Sequence, residues 1–281
     1  MTHSEAIVSE PADVPPGVDI TRPSPARMYD YYLGGTHNFP VDREAAERIR
    51  KVMPDLADAA FANRGFHQRA AIWMAEQGIR QFLDLGAGLP TRGNTHQAVA
   101  KVTGDARVVY VDIDPMVAAY ASHFLDQAQR TAVVTADLRD PEAVLGHPEV
   151  GRLIDFAEPA GLLMTAVVHF VADGSDPWGL VRRYLDALAP GSYLALSHVT
   201  HEKLPPRAVA TGEQEYQRSS EPIYLRSKAE IERFFEGLEI VPPYEGAGPS
   251  VCHVGLWGAE DPEAADSDGS RVFFCAVARK P

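Results

Sequence analysis

The sequence predicts an α/β fold: a seven-stranded, mainly parallel sheet with an antiparallel last strand, preceded by a helical segment. Three observations carry this reading. From about residue 80 onward, short and nearly continuous apolar runs alternate with helix-length stretches, which is how a parallel sheet covered on both faces reads. The first run ends in Gly86-Ala87-Gly88, and the second and third end in the acids Asp112 and Asp137. The last two runs are separated by a long loop without an obvious crossover helix, which suits an antiparallel pair at the sheet edge. The chain has 281 residues, 45% of them hydrophobic and 23% charged, which is enough apolar material for a sizeable core.

The elements follow in order. Residues 1–20 hold Pro11, Pro15 and Pro16 among acidic and small residues, and a disordered tail is expected there. Residues 21–78 read as an N-terminal helical lid. Pro23 and Pro25 precede a first helical turn through Leu33, and Gly34-Gly35 suits a left-handed end. Asp42 is expected to cap a second helix with Ala45, Ile49 and Met53 on one face. A third helix puts Phe66, Ala70, Trp73 and Met74 together and ends near Gly78. Residues 79–281 form the main domain. Strands are expected at 81–85, 107–111, 131–135, 160–167 and 192–197, with helices at 94–102, 115–129, 141–147 and 177–189 between them. Ser227 with Glu230 three residues on is a capping box that opens a further helix. The runs at 238–241 and 271–278 complete seven strands.

Charge excludes some functions. Lys and Arg number 26 against 39 Asp and Glu, a net charge of −13. Nine of the acids lie in residues 1–20 and 256–270, which contain no Lys or Arg, so the body carries only about −4. Clustered basic residues are what phosphate binding needs, so no nucleic-acid partner is expected. No stretch approaches the ~18 apolar residues of a membrane span, and the N-terminus does not read as a signal peptide. Cys252 and Cys275 make neither a disulfide framework nor a zinc knuckle. No membrane partner and a cytoplasmic location are therefore expected.

The strand ends carry the chemistry. Gly86 and Gly88 allow a tight turn and close approach of a ligand to the backbone. The third glycine of the dinucleotide fingerprint is replaced by Thr91, which disfavours a pyrophosphate at this turn. An acid at Asp112 suits both ribose hydroxyls of an adenosine. An acid at Asp137 suits the adenine amino group, with Ile113 or Leu138 over the ring face. All three groups fall on the carboxyl edge of the sheet, where open α/β folds bind ligands. Each has a plain alternative: a structural turn for the glycines and a helix cap for the acids, as Asp114 before Pro115 also suggests.

Here the sequence resembles the class I S-adenosylmethionine-dependent methyltransferases. Residues 82–88 (Phe-Leu-Asp-Leu-Gly-Ala-Gly) look like their first motif, residues 109–115 the second, Ala136-Asp137-Leu138 the third and residues 165–170 the fourth. A narrower resemblance, to a sparsely characterised bacterial S-adenosyl methyltransferase family, covers nearly the whole chain. It is carried by residues 25–35, Asn38-Phe39, Asn63-Arg64, residues 93–96 and His169-Phe170-Val171. The resemblance implies a Rossmann-like sheet, S-adenosyl-L-methionine as cofactor and methyl transfer to a small-molecule oxygen or nitrogen. It implies Asp84 near the methionine amino group and Gly86, Ala87 and Gly88 against the amino acid part. Asp112 falls to the ribose, Asp137 to the adenine amine, with Ile113, Leu138 and Thr165 beside them.

The remaining candidates are less specific. Tyr29, Tyr32, His37 and Asn38 read either as a lid over the cofactor or as aromatics packed on the sheet. His169 follows strand four, where a neutral imidazole could take a proton from an attacking oxygen or nitrogen, or could pack against the lid. His198 and His201 have no third metal ligand, and no metal is expected. Tyr224 and Lys228 have the spacing of a dehydrogenase pair, but the cap at Ser227 falls between them. A nicotinamide-dependent oxidoreductase and a non-catalytic S-adenosylmethionine-binding protein are the alternatives. No nucleophile elbow and no Walker loop occur. The acceptor's identity and the oligomeric state stay open.

Overall fold

The computed structural model describes residues 14–90, 93–120 and 129–281. Three helices lead. α1 (Pro25–Tyr32) ends at Gly34, whose φ of +74° allows the Gly35 N–H to reach back to the Asp30 carbonyl. α2 spans Pro40–Arg50 and α3 Leu56–Glu76. Asp42 stands inside α2 rather than before it, because Pro40 already starts the helix. Its carboxylate reaches back to the Phe39 N–H and also accepts from Ser24 N and Arg27 Nε.

The strands are β1 (Gln81–Leu85), β2 (Arg107–Asp112), β3 (Thr131–Thr135), β4 (Gly161–Thr165), β5 (Tyr193–Val199), β6 (Glu239–Ile240), β7 (Cys252–His253) and β8 (Phe273–Arg279). The sheet order is β3-β2-β1-β4-β5-β8-β6. β1 to β5 pair in parallel, while β8 runs antiparallel to both β5 and β6. The seven expected runs are all present. The eighth strand, β7, pairs two residues with β8 inside the loop read as strandless; two residues are too short for a periodic signal. Between the strands lie α4 (Thr95–Val99), α5 (Pro115–Ala119), α6 (Pro141–Leu145), α7 (Pro148–Leu153) and α8 (Pro177–Ala187). After β5 come α9 (Pro206–Arg218) and α10 (Lys228–Glu232), and α11 (Pro262–Ala265) precedes β8. Asp114 caps α5 by accepting from the Met116 N–H, and most of the expected remainder of that helix lies outside the described residues. Ser227 caps α10 as expected, so Tyr224 stands before that helix and Lys228 opens it.

Alternation along the strands sorts their side chains between two cores. Leu83, Val109, Leu162 and Leu194 pack with α6, α7 and α8 on one face. Phe82, Val108, Tyr110, Leu163 and Ala195 pack with α3, α4 and α5 on the other. Phe66, Ala70 and Met74 of α3 belong to that second core, so the expected boundary at residue 78 runs through continuous packing. α1 and α2 form a separate cluster with the first turns of α3, around Met28, Tyr32, Ala45, Ile49 and Ala60. Residues 1–13 of the expected tail lie outside the described residues; of 14–20, Gly17 and Asp19 border the cavity described next.

Candidate active site

The strand order reverses between β1 and β4, and a cavity of about 360 Å³ opens at their carboxyl ends. Period-two alternation fixes what points into it and what supports it. Asp84 is the fourth residue of β1, on the Phe82 side, so it faces α3 and α4. There its Oδ2 accepts a 2.6 Å hydrogen bond from the Thr95 hydroxyl. Thr95 Oγ1 also lies 2.8 Å from His67 Nε2, and His67 Nδ1 lies 2.9 Å from Thr165 Oγ1. Since the Thr95 proton goes to Asp84, Nε2–H of His67 must donate to Thr95, and Nδ1 accepts from Thr165. Burial holds His67 down to about 3, so the ring is neutral and this polarity is fixed. Thr165 thus keeps its lone pairs for the cavity it lines.

A second polar link runs beside the first. Asn63 stands one turn before His67 on α3. Its Oδ1 accepts from the Ser197 hydroxyl at 2.5 Å, and its amide donates to the Tyr29 hydroxyl at 2.9 Å. Ser197 Oγ in turn accepts from the backbone of Ala166. Ala166 has a φ of +53°, a left-handed conformation that costs a non-glycine residue of order 1–3 kcal/mol. The two backbone and hydroxyl contacts from Ser197 hold it there, at the cavity wall. In the sequence Asn63 enters only as part of the family resemblance and His67 not at all, because the apolar face dominates the pattern of α3. The signal was present: two polar residues four apart on the side that carries Phe66 and Ala70.

The first strand-to-helix turn is shaped for a ligand. Gly86 has φ +72°, and a Cβ there would lie 2.2 Å from Val167 Cγ2. Gly88 has φ +65°, and a Cβ there would meet open space. Asp112 binds the turn through its Oδ2, which accepts from Gly88 N at 2.8 Å, while Oδ1 accepts from Asp114 N at 2.9 Å. A carboxylate has about four lone-pair sites, so each oxygen retains one for a ribose hydroxyl. Burial pushes both Asp84 and Asp112 up to about 6, against the hydrogen bonds that favour their ionised forms. Ile113 is 44% exposed and borders the cavity, an apolar surface placed for a ring face.

Asp137 lines the cavity as well, but its carboxylate is engaged. Arg139 Nε lies 2.9 Å from each of its oxygens, and the same guanidinium reaches Glu221 at 3.0 Å. Burial raises Asp137, and the Arg139 hydrogen bonds outweigh it and hold the acid below its ordinary value. Ala87, Leu138, Tyr29, Tyr32 and His169 also border the cavity. His37 and Asn38 do not. The Asn38 amide donates to Asp30 Oδ2 and the Gly35 carbonyl, and the His37 ring meets Tyr120 edge-on at 4.3 Å. These two residues shape the α1–α2 turn; proximity to three tyrosines in sequence suggested a ligand role that the backbone path removes.

His169 lies in a 3-10 turn after β4 and is buried. Burial, then His198 and Arg226, lower its basicity well below the usual imidazole range. The Val199 N–H points at its Nδ1 at 3.5 Å, so the ring proton sits on Nε2. The nearby His198 has both nitrogens committed, Nδ1 to the Val199 carbonyl and Nε2 to Arg226.

The site therefore has the form of a class I methyltransferase pocket: a glycine turn, an acid at the end of β2 and a reversal point between β1 and β4. Comparison with known proteins agrees. A family model described as S-adenosyl methyltransferase matches residues 11–281. A solved structure from Thermobifida fusca, described as a candidate methyltransferase, is 40% identical and superposes with a TM-score of 0.86 over 95% of this chain and 98% of that one. A DUF574 family protein from Streptomyces avermitilis is 41% identical, with a TM-score of 0.86 over 94% and 99% of the two chains. No curated protein matches the sequence. The chain belongs to the S-adenosyl methyltransferase family, and S-adenosylmethionine is its cofactor.

Proposed function

We propose that the chain transfers a methyl group from S-adenosylmethionine to an oxygen or nitrogen of a small molecule. The observation that carries this reading is one cavity that joins two unlike walls. Strand ends bearing Asp84, Gly88 and Asp112 form the polar wall, and Tyr32, Phe170, Tyr216 and Phe273 belong to the apolar one. The fit to the cofactor rests on the room beside Gly88 and the free acceptor sites of Asp112. Bound cofactor supplies an electrophilic methyl group on a sulfonium. Asp84 would hold the methionine ammonium and Asp112 the ribose, while the adenine amine would share Asp137 with Arg139. Thr165, with its proton committed to His67, offers only an acceptor to whatever lies beside it.

His169 is better suited to orient the acceptor than to deprotonate it, since its free nitrogen carries a proton. Methyl transfer from a sulfonium is intrinsically favourable, and positioning and exclusion of water can supply most of the rate. Absence of nucleic-acid and membrane partners and a cytoplasmic setting belong to the same proposal. The acidic balance supports the first, and no described helix is long and apolar enough to cross a membrane. Calorimetric titration with S-adenosylhomocysteine tests the reading. Micromolar binding is expected, and binding weaker than about 1 mM would overturn it. NAD binding tighter than S-adenosylhomocysteine binding would favour the oxidoreductase alternative.

A further inference from the structure

Beyond the first turn of α1, which meets Asp114 through Ser24 and Arg27, the cavity wall is built by the end of α1, by α9 and by the turns after β4 and β5. Tyr32 stands in it, 5% exposed, and its hydroxyl faces that of Tyr216 but makes no hydrogen bond of good geometry. A buried hydroxyl left without a partner costs free energy, so such a group asks for an explanation. Tyr216 of α9 stands against Phe170, with ring centroids 5.9 Å apart. Met53, Leu56, Val209 and Leu225 complete an apolar lining, and Phe273 adds a further ring. Aromatic walls of this kind accept flat rings in offset or edge contact.

The charged groups that border this wall are engaged or solvated. Asp30 borders the cavity, but its Oδ2 is taken by His37 N and Asn38 Nδ2. Its Oδ1 packs on Gly35, where an added Cβ would lie 2.0 Å away. Glu213 is exposed on α9 and stays in contact with water. His169 is neutral. An ion entering this arm would lose its hydration, and the nearest charges of the cavity are already engaged: Arg64 donates to Asn94 Oδ1 at 2.8 Å and Asp30 accepts from His37 and Asn38.

We infer that the acceptor is an uncharged, mainly apolar ring compound whose one polar edge group meets the Tyr32 hydroxyl. This rests on the methyl-transfer reading of the same cavity. The ring fills the space among Phe170, Tyr216 and Phe273, and its hydroxyl or neutral amine completes the hydrogen bonding that Tyr32 lacks.

The test is calorimetric titration of the full chain saturated with S-adenosylhomocysteine, using three probes that share one ring system: 2-naphthol, 2-naphthoate and 2-naphthylmethylammonium. The expected result is that 2-naphthol binds at least about tenfold tighter than either ion, a difference of about 1.4 kcal/mol. Tyr32→Phe should weaken 2-naphthol about tenfold, on the scale of one hydrogen bond, and leave S-adenosylhomocysteine affinity at the parent value, which also reports that the variant is folded. Val209→Glu, which puts a carboxylate on the apolar wall, should abolish 2-naphthol binding while S-adenosylhomocysteine still binds. Equal or tighter binding of either ion overturns the inference, as does parent-like affinity of Tyr32→Phe for 2-naphthol. If S-adenosylhomocysteine binds and none of the three probes does, the acceptor class is wrong and the methyl-transfer reading stands. If S-adenosylhomocysteine itself fails to bind, both fall.

Discussion

Asp84 and Asp112 titrate near 6, where ordinary carboxylates are fully ionised, because the folded chain encloses them. Both lie above their ordinary value of 3.8. Their stabilising contribution to the ligand-free fold is therefore complete below about 4 and is lost as the pH rises through about 6. A methionine ammonium beside Asp84 favours the ionised form, so binding at pH 5.5 should release protons and binding at pH 7.5 should not. S-adenosylhomocysteine affinity should accordingly rise from pH 5 to pH 7. Titration in buffers of different ionisation enthalpy measures this directly, and a pH-independent affinity would detach Asp84 from the ligand. At Asp112 the expected loss on Asp112→Ala is roughly 1.5–3 kcal/mol of S-adenosylhomocysteine affinity, the scale of hydrogen bonds to a charged group. An unchanged dissociation constant would remove that residue from the site.

The turn from β1 into α4 separates two glycines that look alike in sequence. Gly86→Ala would strain a left-handed backbone, at roughly 1–2 kcal/mol, and drive a methyl group into Val167. Thermal melting should fall clearly, and cofactor affinity with it. Gly88→Ala meets the same backbone cost but no protein atom. Its melting temperature should fall only modestly while S-adenosylhomocysteine binding drops more than tenfold, since the methyl would occupy ligand space. Equal effects of the two variants on binding and melting would show that the Gly88 side of the turn does not face the cofactor. α3 bears on the same site from the opposite side. Through Asn63 and His67 it fixes the hydroxyls of Ser197 and Thr165, a supporting role for a helix whose apolar face builds a hydrophobic core.

Across the whole molecule, the core that α3 shares with the sheet ties the N-terminal half to the strand ends. α2 is tied to α9 by Arg48 and Glu215, 2.8 Å apart, and Arg139 links Asp137 to Glu221 at the cavity wall. Ligand binding should therefore stabilise the chain as one unit. S-adenosylhomocysteine at 100 times its dissociation constant adds about 2.7 kcal/mol, which for a chain of this size raises the melting temperature by about 5 °C or more. Differential scanning calorimetry should record one transition that moves as a whole. Two transitions, with only the later one shifted, would mean that the N-terminal helices unfold independently of the site.

The order of strands and helices, the antiparallel end, the glycine turn and the acids at Asp84, Asp112 and Asp137 were legible in the sequence. Each rests on local pattern: apolar runs, turn residues and the position of a polar group at the end of a run. Tertiary structure alone decided which side chains meet. His67 joins Thr95 to Thr165, residues 28 and 98 positions away, and Arg139 occupies the acid read as an open adenine site. His37 and Asn38 left the cavity because the α1–α2 turn folds them back onto Asp30 and Tyr120. Contacts of this kind depend on the register between strands and on the rotation of α3 over the sheet, and neither is written in the spacing of residues along the chain.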